Sequence, residues 1–350
     1  MRAVVLGGGI AGSFAALFLR ERGFEVIGVG GRPSYPLSSL VLTLSMPHRE
    51  DVELARRSLE IYRDFVRPKE VLSVDIFPSD IDKSVFSHLE DYRVADEVDG
   101  LRLGRDEVAV ITKDYLIPVR RIVRRLRSRM GFSDSFGELR VDGRRAYVVA
   151  DGRRLDGDAI VLAAGHANGQ LAERAGLRLP FKPYACYAAV LLAASPIRRY
   201  SIGDHVLGWY GRPAFPPPLY IAGDGCGRPY EGPPAGYASR IARLASRRGG
   251  PLIPLFSKAG YCEVGPGGGP LYGRHPSVEN LYVIGGLDGY GSMVGPALAE
   301  RLADLAAGHE HKDPFRLEER LDSPDFDPCG TAERHEWNLD VRGSSQSAYR

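Results

Sequence analysis

Six residues near the start, Gly7-Gly8-Gly9-Ile10-Ala11-Gly12, fit the pattern G-x-G-x-x-G and carry the clearest chemistry in the chain. Glycine at 7 permits a tight turn, and glycine at 9 lets backbone approach a pyrophosphate. Glycine at 12 lets a helix pack close against a strand. A helix starting at Ile10 and Ala11 would offer free N–H groups and a positive dipole end to the phosphates. Other reactive groups are sparse. Cys186, Cys226, Cys262 and Cys329 lie far apart with no C-x-x-C, which argues against zinc and leaves room for one disulfide. His48, His88, His166, His205 and His275 show no dyad spacing, so no general acid or base is nominated and no metal site is expected.

The flanks of the glycine run are what a dinucleotide site requires. Ala3-Val4-Val5-Leu6 is a short apolar run, as in a strand buried on both faces. Phe14, Ala15, Leu17 and Phe18 recur at helical spacing up to Arg22, where Gly23 stops the helix. A second strand runs from Glu25 to Val29, completing a βα-β start. The usual pattern then places an acidic residue at the end of that strand, to bind the adenosine ribose. Here the place falls on Gly30, in Val29-Gly30-Gly31-Arg32, where there is no carboxylate. Arg32 could meet a 2'-phosphate, which would suit NADP, or backbone and water could bind the ribose.

Further along, Pro33 to Pro47 is expected as a loop, and Asp51 to Val66 as a helix with Ala55, Leu59, Tyr62 and Val66 on one face. Leu72 to Phe77 and Tyr92 to Leu103 suggest strands. After Ile117-Pro118, the residues Val119, Ile122, Val123, Leu126 and Met130 line one side of an amphipathic helix. Arg120, Arg121, Arg124, Arg125, Arg127 and Arg129 form the other side, expected as a solvated face. A hairpin from Leu139 through Val149 to Leu155 precedes Asp158-Ala159-Ile160-Val161-Leu162-Ala163-Ala164-Gly165, a buried strand whose small terminal residues let backbone lie close to a ligand. From Phe181 to Cys262 the texture is aromatic and strand-like around Val190, Val206 and Tyr220, with one helix from Ala235 to Arg247. This suggests a second domain built mainly of antiparallel sheet. Asn280 to Gly286 is another buried strand with a glycine exit, and Gly295-Pro296 opens a helix to Ala307.

With 350 residues the chain has length for about two domains. A net charge of +2 gives no electrostatic case for nucleic acid or an acidic membrane. Of 46 basic residues only six are Lys. No run approaches membrane length, and the N-terminal apolar run is a nucleotide strand rather than a signal peptide, so a cytoplasmic protein without a membrane span is expected.

Taken together, these blocks resemble the D-amino-acid oxidase, glycine oxidase and sarcosine oxidase family of FAD-dependent oxidoreductases, over roughly residues 1 to 320. The resemblance rests on Gly7 to Gly12, Ile117-Pro118, Val161 to Gly165, and Gly285-Gly286 through Gly291 to Pro296-Ala297. Ala259-Gly260-Tyr261-Cys262 before Pro270-Leu271-Tyr272-Gly273-Arg274-His275-Pro276 is most similar to glycine oxidase. It implies an α/β fold with a discontinuous Rossmann-like FAD-binding domain (1–70, 114–180 and 265–320). A second domain dominated by antiparallel β-sheet would carry the substrate (71–113 and 181–264), and 321–350 would be a loosely ordered tail. It implies FAD rather than NADP, held by Gly7, Gly9, Ile10, Ala11, Gly12, Gly30, Gly31, Arg32, Ser38, Ser39, Ala164, Gly165, Gly286, Gly291, Ser292, Met293 and Val294.

The chemistry implied is oxidation of a C–N bond in an amine or amino acid, with hydride passing to flavin N5. The acceptor would be oxygen or a redox partner, and a homo- or hetero-oligomer stays open. Trp209, Tyr210, Cys262 and Tyr290 are expected to line the substrate pocket. The chain departs from the family at the carboxylate anchor: Cys262 stands where glycine oxidase has arginine, and Gly289 or Met293 where other members place a basic residue. Either Arg212, Arg228 or Arg274 serves instead, or the substrate is not an ordinary amino acid. Cys262 itself fits a small lining residue or, alternatively, a covalent flavin tether. Two rivals remain open: a flavin-dependent reductase, and a non-catalytic or electron-transfer subunit of a larger dehydrogenase complex.

Overall fold

The computed structural model describes residues 1–31, 40–224, 226–227, 229–323, 325–331 and 337. The chain opens with β1 (Arg2–Leu6), α1 (Ile10–Glu21), β2 (Glu25–Val29), β3 (Leu40–Thr43) and α2 (Arg49–Arg63). Then come β4 (Lys69–Pro78), β5 (Arg93–Ala95), β6 (Glu107–Ile117) and α3 (Val119–Met130). A meander of β7 (Gly137–Asp142), β8 (Arg145–Ala150) and β9 (Arg153–Leu155) leads to β10 (Ala159–Leu162) and α4 (Asn168–Arg174). The next stretch holds β11 (Lys182–Ala193), β12 (Tyr200–Asp204), β13 (Trp209–Pro213), β14 (Leu219–Gly223), β15 (Cys226–Gly227) and α5 (Tyr237–Gly249). It closes with β16 (Leu252–Val264), β17 (Leu271–Arg274), β18 (Leu281–Gly285), α6 (Gly291–Ala306) and α7 (Pro328–Thr331).

One sheet has the order β17-β18-β10-β1-β2, parallel except for β17. Its strands are buried on both faces, which is why they read as unbroken apolar runs. Ala3, Val5, Val161 and Ala163 point into a core shared with α1, α2, α3 and α6. Val4, Leu6, Ile160 and Leu162 point the other way, onto Leu139, Ala146 and Val148 of the meander.

The second sheet runs β15-β11-β14-β13-β12-β4-β6-β3, with β16 added on β11 and β5 on β6. Every pairing in it is antiparallel except β4 with β12. Side chains alternate between its faces. Val74, Ile76, Ile111, Ala189, Leu191, Ile202 and Trp209 face α5, where Ile241, Ala242 and Ala245 complete a second core. That core is closed by a buried ion cluster. Arg248 donates to both carboxylate oxygens of Asp204 (2.7 and 3.0 Å) and to Glu107 (2.5 and 3.1 Å). Asp204 also accepts from Trp209 Nε1 and from the N–H groups of Val206 and Leu207.

Several elements differ from the sequence reading. Only Arg93–Ala95 of Tyr92–Leu103 is strand; Val98 and Leu101 close a turn around Gly100, whose φ is +71°. Val206 lies in the turn held by Asp204, between β12 and β13. Within Pro33–Pro47, Leu40–Thr43 is a strand on β6. The last large helix begins at Gly291, four residues before Gly295-Pro296, so Pro296 lies inside it. Proline has no N–H for the carbonyl four residues back. That carbonyl, Ser292 O, accepts from Tyr62 Oη at 2.8 Å, so the break is satisfied from α2. Near the end of the chain, Trp337 is buried against Phe77 and Phe86. The Gly343-to-Ser347 stretch lies outside the described residues.

Removing one partner of a buried ion pair leaves an uncompensated charge. Arg248→Ala should therefore lower the unfolding free energy by about 3–5 kcal/mol, read as a shifted urea midpoint. An unchanged midpoint would show that Asp204 and Glu107 do not depend on it.

Candidate functional site

The carboxyl ends of β1, β10 and β18 all exit through small residues: Gly7, Ala163-Ala164-Gly165, and Gly285-Gly286. In parallel sheets, nucleotides lie outside the carboxyl ends of the strands. The backbones here approach too closely for side chains. Gly7 has φ +122° and donates to Val29 O at 2.8 Å; a Cβ on it would lie 2.2 Å from Ala163 O. A Cβ on Gly12 would lie 1.9 Å from Gly7 O. This turn delivers the chain into α1 with its first N–H groups facing the crevice, since its N-cap is Gly9 and no side chain caps it. The start of α6 adjoins: a Cβ on Gly295 would sit 3.3 Å from Ile10 Cγ2, and α6 also lacks a side-chain cap. Two positive helix ends thus meet one cradle, which suits a ligand with a pyrophosphate and a second anionic centre.

Ile10, Ala11, Ala164, Gly165 and Gly286 border this crevice, and Gly291 to Val294 form the first turn of α6. Ser292 Oγ donates to Val41 O at 3.0 Å, bringing that turn onto β3. Gly30 and Gly31 follow β2, whereas Arg32, Ser38 and Ser39 lie outside the described residues. Gly30 has φ +153°, and a Cβ there would lie 2.8 Å from Gly8 N. The missing acid is therefore a steric consequence: this backbone excludes any side chain.

Arg127 corrects the reading of a fully solvated arginine face. It is 7% exposed, because positions 119, 123 and 127 continue the buried stripe of α3 down its last turn. Its Nη2 donates to Gly30 O at 2.8 Å and to Asp134 Oδ1 at 2.7 Å.

Sequence reasoning missed a second hub. Asn168 Oδ1 accepts from Ala164 N (2.7 Å), while its Nδ2 donates to Glu263 Oε1 (2.6 Å) and Ile284 O (3.1 Å). Glu263 Oε1 also accepts from Gly286 N at 3.1 Å. One carboxylate on β16 thereby ties the exits of β10 and β18 to the second sheet. Burial pushes the Glu263 carboxyl up to about 8, outweighing the donations from Gly286 and Asn168. The only sequence signal was an acidic residue inside a strand that ends at Val264-Gly265-Pro266.

The face of the second sheet turned away from α5 packs Phe77, Val108 and Val110 into the first core and sets a group of polar residues beside them. It carries Ser73, Asp75, Thr112, Asp114 and Ser201, all buried. Ser45 Oγ donates to Asp75 Oδ2 at 2.6 Å. Burial lifts Asp114 to about 7, against hydrogen bonds from Ser201 and Thr43 that pull it down. Tyr210 and Arg212 lie on this face by alternation from Trp209 and Gly211. Trp209 departs from the expected pocket wall: it belongs to the α5-covered core, with its N–H on Asp204. Cys262 and Cys186 are not joined in a disulfide and share the face with Tyr184, and hydrogen bonding to Cys186 together with burial raises the Cys262 thiol. Tyr290 is fully buried as the residue before α6, its hydroxyl 3.5 Å from Gly268 O. Arg228 is outside the described residues, and exposed Arg274 sits on edge strand β17.

A parallel-sheet crevice with two uncapped helix starts, facing a large mostly antiparallel sheet, is the architecture of FAD-dependent oxidoreductases. Residues 132–305, just under half of the chain, match the DAO family model, described as FAD dependent oxidoreductase. The chain is an enzyme of this class, with FAD as its cofactor. No curated protein sequence matches the chain. Among solved structures, it is similar to iminodiacetate oxidase from Chelativorans sp. (19% identity, TM-score 0.73, covering 91% of this chain and 98% of that one). It is also similar to L-proline dehydrogenase from P. horikoshii (18%, TM-score 0.77, 90% and 95%). Glycine oxidase from Bacillus cereus gives 16%, TM-score 0.73, and coverage of 93% and 99%. At these identities the likeness is one of fold. Among the described residues, no helix is long and apolar enough to cross a membrane.

The raised pKa of Glu263 makes stability depend on pH. Between about 4.5 and about 8 the folded carboxyl keeps a proton that the unfolded one loses, so its contribution to stability is lost as pH rises through that window. Glu263→Gln should give a melting temperature that falls less steeply from pH 5 to 8, with the variant matching or exceeding the parent at pH 8. An unchanged slope would place the titration elsewhere.

Proposed function

We propose that this enzyme oxidises a C–N bond of an amine or amino acid, with the substrate held between the flavin crevice and the polar groups of the second sheet. The observation that carries this reading is the meeting of the two helix starts at the glycine exits, opposite a sheet face that presents buried polar groups. The fold likeness extends to proteins named for iminodiacetate, L-proline and glycine, each an amino or imino acid. When bound, FAD would supply the hydride acceptor for this oxidation, and oxygen or a redox partner would be the final electron acceptor.

The chain's own residues then bind, orient and exclude water. The N–H groups of Ile10, Ala11 and Gly12 would hold the pyrophosphate. Gly291, Ser292 and Met293 would hold the flavin at the start of α6, whose dipole favours negative charge. We assign the FAD-binding domain to 1–70, 114–180 and 265–320, and the substrate domain to 71–113 and 181–264. Arg212 replaces the arginine that Cys262 lacks. It is buried on the substrate-facing side of β13, and burial lowers it to about 10, still charged at neutral pH. A guanidinium fork matches a carboxylate. Cys262 is then a small wall residue beside Cys186.

Anaerobic mixing with a panel of amino acids and amines should bleach the flavin with at least one of them, preferentially one bearing a carboxylate. Arg212→Met should raise KM for that substrate about ten- to hundredfold, as for a lost charge-assisted hydrogen bond. A flavin that no amine or amino acid reduces would contradict the reaction. Bleaching with an unchanged KM in the variant would contradict only the anchor.

A further inference from the structure

We propose that Arg127 binds the adenosine half of FAD, donating from Nη1 to an oxygen of the AMP moiety in place of the carboxylate that Gly30 cannot carry. The Arg127 side chain is nine-tenths buried, and two of its faces are fixed. Nη2 is held by Gly30 O and Asp134, and the guanidinium lies 5.0 Å from the centre of the Phe132 ring. Phe132 fits there because strand β2 has glycine beneath it: a Cβ on Gly28 would lie 2.5 Å from the ring. Nη1 is different. It is buried with no hydrogen-bond partner among the described residues. It lies over Gly8, so close that a Cβ on that residue would come within 1.4 Å of it.

A buried donor of a charged group without an acceptor is costly. This one is directed at the loop between β1 and α1, beside the end of β2, where the adenosine of a dinucleotide lies. An acid there accepts from ribose hydroxyls; an arginine donates, so its partner is a ribose or phosphate oxygen. Glycine at 8 and at 30 is what leaves room for the guanidinium. Asp134 acts as a positioning residue, fixing the fork so that Nη1 points inward.

The test is flavin-fluorescence titration of the deflavinated protein with FAD and with FMN, which lacks the AMP half. Arg127→Met should weaken FAD binding about ten- to hundredfold and leave FMN binding unchanged. In the parent protein, AMP should compete with FAD; competition by AMP well beyond adenosine places the contact on phosphate, and equal competition places it on ribose. Equal losses for FAD and FMN, or none for FAD, would overturn the proposal. Because Met at 127 also releases Gly30 and Asp134, a crystal structure of the parent protein with FAD provides an independent test. No FAD oxygen within hydrogen-bonding distance of Nη1 would refute the contact. A parent protein binding neither flavin would overturn this inference together with the cofactor assignment.

Discussion

The backbone contact of Gly12 with Gly7, and of Gly7 with Ala163, is the constraint on which the rest of the molecule depends. It sets the distance between β1, β10 and α1, and so decides where the first N–H groups of α1 point. A methyl group at either glycine would collide with backbone oxygen, which has nowhere to move. Once α1 is fixed, α6 packs beside it, and the two helix starts converge on one crevice. This geometry sacrifices little apolar burial, since both faces of the parallel sheet are covered by helices and by the β7–β9 meander.

Two polar devices join this cradle to its surroundings. Glu263 and Asn168 link the exits of β10 and β18 to β16, so the glycine ends are braced by the second sheet rather than left as free loops. Such buried polar bonds are valuable only when satisfied, and they hold a geometry more than they add stability. Arg127 braces the other end, where β2 stops. Both devices act on backbone groups at the carboxyl edge of the sheet. That is where a nucleotide cofactor needs a rigid frame.

Much of the fold was legible because its signals are local. The glycine run, the apolar strands at Ala3–Leu6 and Ala159–Leu162, and the stripe Val119, Ile122, Val123, Leu126 and Met130 each declare an element within a dozen residues. What sequence did not show depends on distant partners. Arg127 sits at a position that composition assigns to solvent, and only the packing of α3 under β2 buries it. Trp209 was ambiguous because alternation alone does not say which sheet face meets α5. The start of α6 was misplaced for a chemical reason: Pro296 suggests a first-turn residue, yet Tyr62, far away in sequence, satisfies the carbonyl that proline leaves open. Glu263 left only the trace of a lone acidic residue inside a strand, because its partners come from two other segments.

The substrate side follows from the same logic of faces. One side of the second sheet is committed to α5 and the Arg248 cluster, so the proposed substrate recognition uses the other, which carries Asp75, Asp114, Ser201, Tyr210 and Arg212. The central claim, that this crevice holds FAD through backbone and helix ends without a β2 acid, is tested most directly by the visible absorption spectrum of the purified protein before and after denaturation and filtration. The account predicts flavin bands in the native protein that pass the filter as intact FAD. A colourless protein that takes up no added FAD would contradict it.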